Sequence, residues 1–271
     1  MRSYGRIGFI GGGNMAEAFV KGLLKGGYPA ADIIISDPSE SRCNFLAERY
    51  GIGITEENFA VVRDCDIVVL AIKPQIVDAV VTAFAPEFTP DKLLISILAG
   101  VATTTLEGLL GGSPRVVRAM PNTPALVGEG AAGLCRGRFA SPEDLAFARR
   151  LFETFGIVRL VSEEQLDAVT GLSGSGPAYI FTVIEAMADG GVQEGLTRDT
   201  ALALAIQTVL GAAHLLKESG EHPAMLRDKV CSPAGTTIAA VRVLEEKGLR
   251  ATLMEAVSCA TRRSRELGVK K

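Results

Sequence analysis

A glycine-rich turn set between an apolar run and a helical pattern constrains this chain more than any other feature. Arg6-Ile7-Gly8-Phe9-Ile10 is short and apolar, Gly11-Gly12-Gly13-Asn14-Met15-Ala16 follows at once, and Ala18, Phe19, Leu23 and Leu24 then recur at helical spacing. The order reads strand, tight turn, helix. Gly11 and Gly13 let the backbone turn and approach a pyrophosphate, Ala16 lets helix and strand pack closely, and the helix N-terminus offers N–H groups to phosphate. A second apolar run, Asp32-Ile33-Ile34-Ile35-Ser36, ends in Asp37, 21 residues beyond Ala16, where such a fold places a ribose-reading group.

Asp37 alone argues for NAD, because a carboxylate accepts hydrogen bonds from the ribose 2'-hydroxyl and repels a 2'-phosphate. Ser39 and Arg42 lie close enough in sequence to offer a hydroxyl and a positive charge to that phosphate. Both cofactors therefore stay open, with NADPH placed ahead of NADH. Further strands are expected at residues 66–72 and 93–98, separated by a helical pattern over residues 75–84, as βαβ repetition requires. Ligands of parallel sheets lie beyond the carboxyl ends of strands, which puts Lys73-Pro74 and Ala99-Gly100 on the cofactor side. Arg115-Val116-Val117-Arg118-Ala119-Met120 reads as one more strand, and Pro121-Asn122-Thr123-Pro124 forces an extended, rigid loop after it. Asn122 there either bonds a nicotinamide carboxamide or serves only the turn.

From about Glu163 the pattern turns helical, so the expected organisation is a Rossmann-type parallel-sheet domain over residues 1–161 and an all-α domain over residues 162–271. Ser175-Gly176-Pro177 should open a helix and Gly190-Gly191 should stop it; Thr197 should cap the next helix and Gly220 end it. That next helix, from Arg198 to Ser219, is apolar on every face. A small helical domain cannot surround it, which predicts that a second subunit does. Residues 171–179 and the run Ser232-Pro233-Ala234-Gly235-Thr236-Thr237 are each expected to open a helix with small side chains and hydroxyls, a setting suited to a carboxylate. Cys231 reads as a small buried thiol rather than a nucleophile.

Composition narrows the chemistry. With 28 Lys and Arg against 31 Asp and Glu, the net charge of −3 gives no pull toward nucleic acid or anionic lipid. No unbroken apolar run reaches the roughly 18 residues of a membrane span, and no signal peptide is read at the start. Five cysteines without CxxC spacing predict free thiols, a reducing compartment and a cytoplasmic location. No cluster has metal-ligand spacing. Of the two histidines, His214 lies inside the apolar helix and His222 precedes a helix start, so neither is placed as a proton donor. Ketone reduction normally wants such a donor, whereas a protonated cyclic imine is simply neutralised by hydride, and the imine fits better. A β-hydroxyacid dehydrogenase would want a lysine in residues 177–189, where there is none. A cofactor sensor without turnover is the reading from another class, set against the intact hydroxyl-rich loop.

Over essentially its whole length the chain resembles the pyrroline-5-carboxylate reductase family, through the glycine-rich turn, Ala71-Ile72-Lys73-Pro74, Met120-Pro121-Asn122-Thr123-Pro124 and the two C-terminal segments above. The resemblance implies NAD(P)H-dependent reduction of 1-pyrroline-5-carboxylate to L-proline, the last step of proline biosynthesis, in a homodimer with interlocking helical domains that often assembles into rings. It implies dinucleotide contacts from Ile10, Gly11, Gly12, Gly13, Asn14, Met15, Asp37, Ser39, Asn58, Ala71, Ile72, Lys73, Pro74, Ile97, Leu98 and Ala99, with Lys229 reaching in from the helical domain. Substrate contacts would come from Glu163, Ser232, Gly235, Thr236 and Thr237. Thr237 is the residue expected to act in catalysis, bonding the ring nitrogen.

Overall fold

The computed structural model describes residues 5–268. Its centre is one eight-stranded sheet in the order β3-β2-β1-β4-β5-β6-β7-β8. The strands are β1 (Ile7–Ile10), β2 (Ile33–Ser36), β3 (Gly53–Thr55), β4 (Ile67–Leu70), β5 (Leu93–Ser96), β6 (Arg115–Met120), β7 (Gly130–Arg136) and β8 (Gly156–Leu160). All neighbours from β3 to β6 run parallel, β7 is antiparallel to β6, and β8 is parallel to β7. Strands β1, β4 and β5 are buried at every position, as expected for apolar runs covered on both faces.

The helices of this part are α1 (Asn14–Lys25), α2 (Glu40–Tyr50), α3 (Asn58–Asp64), α4 (Val77–Phe84), α5 (Thr103–Leu110) and α6 (Pro142–Glu153). On one face of the sheet the Phe19 ring of α1 packs edge-on against Phe9, Phe152 and Phe155, with centroids 5.8, 4.6 and 4.7 Å away. Val61, Val81, Phe84, Leu94 and Leu106 form the core of the other face.

Three strands were not expected: β3, β7 and β8. Gly130-Ala131-Ala132-Gly133-Leu134-Cys135-Arg136 lacks the β-branched and aromatic residues that mark a strand, and it becomes one by pairing with β6, Val117 opposite Arg136 and Met120 opposite Gly133. Tertiary pairing overrides weak local preference here.

The remaining helices are α7 (Leu166–Val169), α8 (Gly176–Gln193), α9 (Arg198–Ser219), α10 (Pro223–Val230), α11 (Thr236–Glu246) and α12 (Leu249–Gly268). Thr197 caps α9 and Gly220 ends it in the left-handed region, as expected. Gly190 and Gly191, by contrast, do not stop α8; it runs on to Gln193, and Gly195 at φ +97° makes the turn. The reason is packing: a Cβ at Gly191 would lie 3.1 Å from Ala201 Cβ of α9, so the glycine lets the helices approach. Residues 171–179 open α8 at Gly176 as expected, with one difference in the turn before it. Thr170–Gly174 is a wide π-helical turn feeding α8, and the Ser175 N–H is already spent on Thr170 O at 2.8 Å, so no free helix N-terminus opens there.

The described chain forms two compact units, residues 5–175 with 258–268 and residues 176–257. The division falls at Ser175 rather than at Val161 because a polar network ties the intervening stretch to the sheet. Thr103 of α5 bonds Glu163, Arg118 of β6 pairs with Glu163 at 3.2 Å and Asp167 at 3.8 Å, and Ser264 of α12 donates to Asp167 at 2.6 Å.

Candidate active site

Register alone brings the expected cofactor residues together. Ile10 pairs with Ser36 and Leu70, and Leu70 pairs with Ser96, so β1, β2, β4 and β5 end side by side. The segments leaving those ends are residues 11–13, 37–39, 71–74 and 97–99. Gly11 takes φ +99°, and a Cβ there would lie 2.5 Å from Ala71 O, so only glycine lets the turn pass the end of β4. Its N–H donates to Ser36 O at 2.8 Å, the Ala71 N–H to Ile10 O at 2.8 Å and the Ile97 N–H to Leu70 O at 3.2 Å.

No side chain caps α1, whose N-cap is Gly13. The first-turn N–H groups of a helix lack intrahelical partners and carry the positive end of its dipole. A Cβ at Gly13 would meet nothing within 4 Å, so the approach to that turn is open. Uncapped donors behind an open glycine turn fit a pyrophosphate, and Asn14 and Met15 sit in that first turn. Asn58 stands at the start of α3, its Oδ1 accepting the Ser36 hydroxyl at 2.7 Å. Lys73 precedes the short turn Pro74–Ile76.

Asp37 and its neighbours are more committed than the sequence suggested. Asp37 Oδ2 accepts the Gly12 N–H at 2.7 Å and Oδ1 accepts the Ser39 N–H at 2.9 Å. The Ser39 hydroxyl caps α2 by accepting the Arg42 N–H. Arg42 donates through Nε to Gly12 O at 2.6 Å and through Nη2 to Glu17 Oε2 at 2.6 Å. The Tyr50 hydroxyl donates to Glu17 Oε1 at 2.8 Å. Burial works against ionisation of Glu17, but the bonds from Arg42 and Tyr50 and the charges of Arg42 and Arg49 outweigh it and hold the carboxyl below its ordinary range. Sequence reasoning missed Glu17 and Tyr50. One residue of a surface helix and the last residue of another carry no local sign that they meet.

Asn122 makes the contacts of its structural alternative. Its Oδ1 accepts the Ala131 N–H at 2.8 Å and its Nδ2 donates to Ser173 O at 3.1 Å, which fastens the proline-rich loop to β7 and the π turn. Glu163 spends its carboxylate on α5, accepting the Thr103 N–H at 2.6 Å and hydroxyl at 2.7 Å, with the buried Arg118 beside it.

In the helical unit, residues 232–235 link α10 to α11. A Cβ at Gly235 would lie 2.2 Å from Ser232 Oγ, so glycine there is what allows the serine hydroxyl to sit against the start of α11. Ala234 takes φ +55°, unusual for a residue with a side chain. No side chain caps α11, and Thr236 and Thr237 occupy its first turn. The result is a concentrated set of donors: unfilled N–H groups and three hydroxyls. Lys229 on α10 is paired with Glu221, 2.7 Å to each oxygen. Cys231 is half-buried rather than fully buried.

Comparison with known proteins agrees with this reading of the chain. A family profile for pyrroline-5-carboxylate reductase dimerisation matches residues 163–267, and one for NADP oxidoreductases, coenzyme F420-dependent, matches residues 6–100. The pyrroline-5-carboxylate reductase of Methanosarcina acetivorans is 50% identical over 98% of both chains. The chain belongs to the pyrroline-5-carboxylate reductase family. The solved reductase from Coxiella burnetii superposes with a TM-score of 0.90 at 39% identity, covering 99% of this chain and 100% of that one. The Plasmodium falciparum structure with NADP bound also gives 0.90, at 32% identity and the same coverage. As a member of the family, the protein is an NAD(P)H-dependent oxidoreductase that reduces 1-pyrroline-5-carboxylate to L-proline.

Proposed function

We propose that the work is divided by residue as follows. The uncapped start of α1 with Ile10, Gly11, Gly12, Gly13, Asn14 and Met15 holds the pyrophosphate, and Asp37, Ser39 and Asn58 attend the adenosine side. Ala71, Ile72, Lys73 and Pro74 with Ile97, Leu98 and Ala99 line the rest of the dinucleotide, and the family resemblance adds Lys229. The bound dinucleotide supplies the hydride.

The observation that carries the substrate assignment is the uncapped N-terminus of α11. Ser232, Gly235 and Thr236 with the free N–H groups receive the substrate carboxylate. Several donors and little bulk are what that anion needs. Thr237 Oγ1 accepts the N–H of the protonated ring nitrogen, fixing the plane of the C=N bond. Glu163 contributes to the substrate through the Oε2 lone pair that Thr103 and Arg118 leave unused. The group transferred neutralises the iminium, so the chain needs no general acid beside the reacting carbon, and the gain is mainly one of orientation.

Residues 162–271 serve as the substrate-binding and dimerisation portion, and copies associate through it into a dimer and further into a ring of dimers. The support is exposed apolar surface: Phe181, Leu204, Leu210 and Leu215 stand more than a third exposed in the single chain. Among the described residues, α9 is also the one helix long and apolar enough to cross a membrane. A second copy covers it in this reading. Five free cysteines, three of them buried, support the cytoplasm as the place of work.

The deciding assay is loss of reduced-cofactor absorbance on adding 1-pyrroline-5-carboxylate, run in parallel with NADPH and NADH. Oxidation with proline as product is expected. Cofactor binding without any oxidation would refute the assignment. Thr237→Ala is expected to lower turnover by roughly tenfold to a hundredfold, the loss of one hydrogen bond worth about 1–3 kcal/mol in the transition state. Unchanged turnover removes Thr237 from the mechanism.

A further inference from the structure

We propose that this chain favours NADH over NADPH, and that Asp37 and Glu17 together set the choice, the first by its own charge and the second by occupying Arg42. The proposal rests on the reductase reading and reverses the order expected from the sequence, which placed NADPH ahead, because Arg42 is paired with Glu17 rather than free for a phosphate.

Asp37 stands at the end of β2, where a ribose-reading residue belongs, and its carboxylate is fixed there by the N–H groups of Gly12 and Ser39 at 2.7 and 2.9 Å. Each oxygen keeps a lone pair for a ribose hydroxyl. A 2'-phosphate would bring roughly −1.5 to −2 charges to the same place. Compensation would have to come from Ser39 or Arg42; Ser39 offers only a hydroxyl, and the charge of Arg42 is already paired. The Ser39 hydroxyl accepts the Arg42 N–H as the cap of α2 and lies 3.1 Å from Ser41 Oγ. The Arg42 guanidinium gives Nε to Gly12 O and Nη2 to Glu17, both at 2.6 Å, and one face stacks on the Phe45 ring with Cζ 5.1 Å from the centroid. Glu17 neutralises its charge, and Tyr50 fixes Glu17 in turn. A phosphate at this edge would face the Asp37 carboxylate and a cation already paired.

Calorimetric binding of ADP-ribose and 2'-phospho-ADP-ribose to the intact protein tests this without turnover. ADP-ribose should bind at least about tenfold more tightly, the equivalent of roughly 1.4 kcal/mol. Raising salt should narrow that ratio, because screening weakens a repulsion. Asp37→Asn keeps an oxygen for the Gly12 N–H while removing the charge, and Glu17→Gln releases Arg42; each should move the ratio toward the phosphorylated fragment several-fold. The NADH-to-NADPH ratio of kcat/KM should follow the same order. Equal or tighter binding of 2'-phospho-ADP-ribose by the wild type, or a ratio that neither variant moves, overturns the proposal. If neither fragment binds, the cofactor reading falls with it; if ADP-ribose binds preferentially but no oxidation follows substrate addition, only the reductase reading fails.

Discussion

The sheet unit and the helical unit bury their apolar residues in different ways. In the first, Phe9, Phe19, Phe84 and Phe152 are sealed on the two faces of the sheet within one chain. In the second, the sealed core is Ala188, Ala201 and Ala205, while Phe181 is 65% and Leu204 56% exposed. Both sequences are rich in hydrophobic residues. Layered strands and helices can enclose such side chains alone, whereas a few helices around an apolar one cannot.

That contrast can be broken by mutation. The largest effect is expected from Phe19→Ala, which removes a ring packed against three others and should cost about 3–5 kcal/mol in urea unfolding without altering association. Leu204→Asp should act in the opposite sense. The single chain should keep its helical circular dichroism, while sedimentation shows the association constant falling at least about a hundredfold, roughly 2.7 kcal/mol. An assembly unaffected by Leu204→Asp would show that another surface joins the copies.

The smallest effect concerns pH and belongs to the sheet unit. Glu17 ionises below its ordinary 4.5, so its ion pair stabilises the fold above the unfolded value and that contribution fades as pH falls through the lowered one. Wild type should therefore exceed Glu17→Gln in stability by about 1 kcal/mol or less near neutrality, with the gap closing in acid. A gap that does not close as the carboxyl is protonated in acid would mean that Glu17 acts through shape rather than charge.

Much of the site was legible in order of residues. The glycine turn and Asp37 follow predicted strands; Ala71 to Pro74 and Ile97 to Ala99 straddle the predicted ends of two more, which stop two residues earlier, at Leu70 and Ser96, and parallel register brings all four segments to one edge. The start of α11 was legible too, because Gly235 and two threonines are the signature of a helix opening. What could not be read were the partners: Arg42 with Glu17 and Tyr50, Asn122 with Ala131 and Ser173, Glu163 with Thr103 and Arg118. These pairs lie far apart in sequence, and nothing local distinguishes a committed side chain from one waiting for a ligand.

The sequence by itself determined the parallel sheet, the edge proposed for the dinucleotide and the family, because hydrophobic period, turn chemistry and motif order are local properties. Tertiary structure decided the last two strands, the point where the compact units divide and which polar groups are already spent. Those depend on contacts between distant segments, where pairing and packing outweigh the weak preferences of single residues.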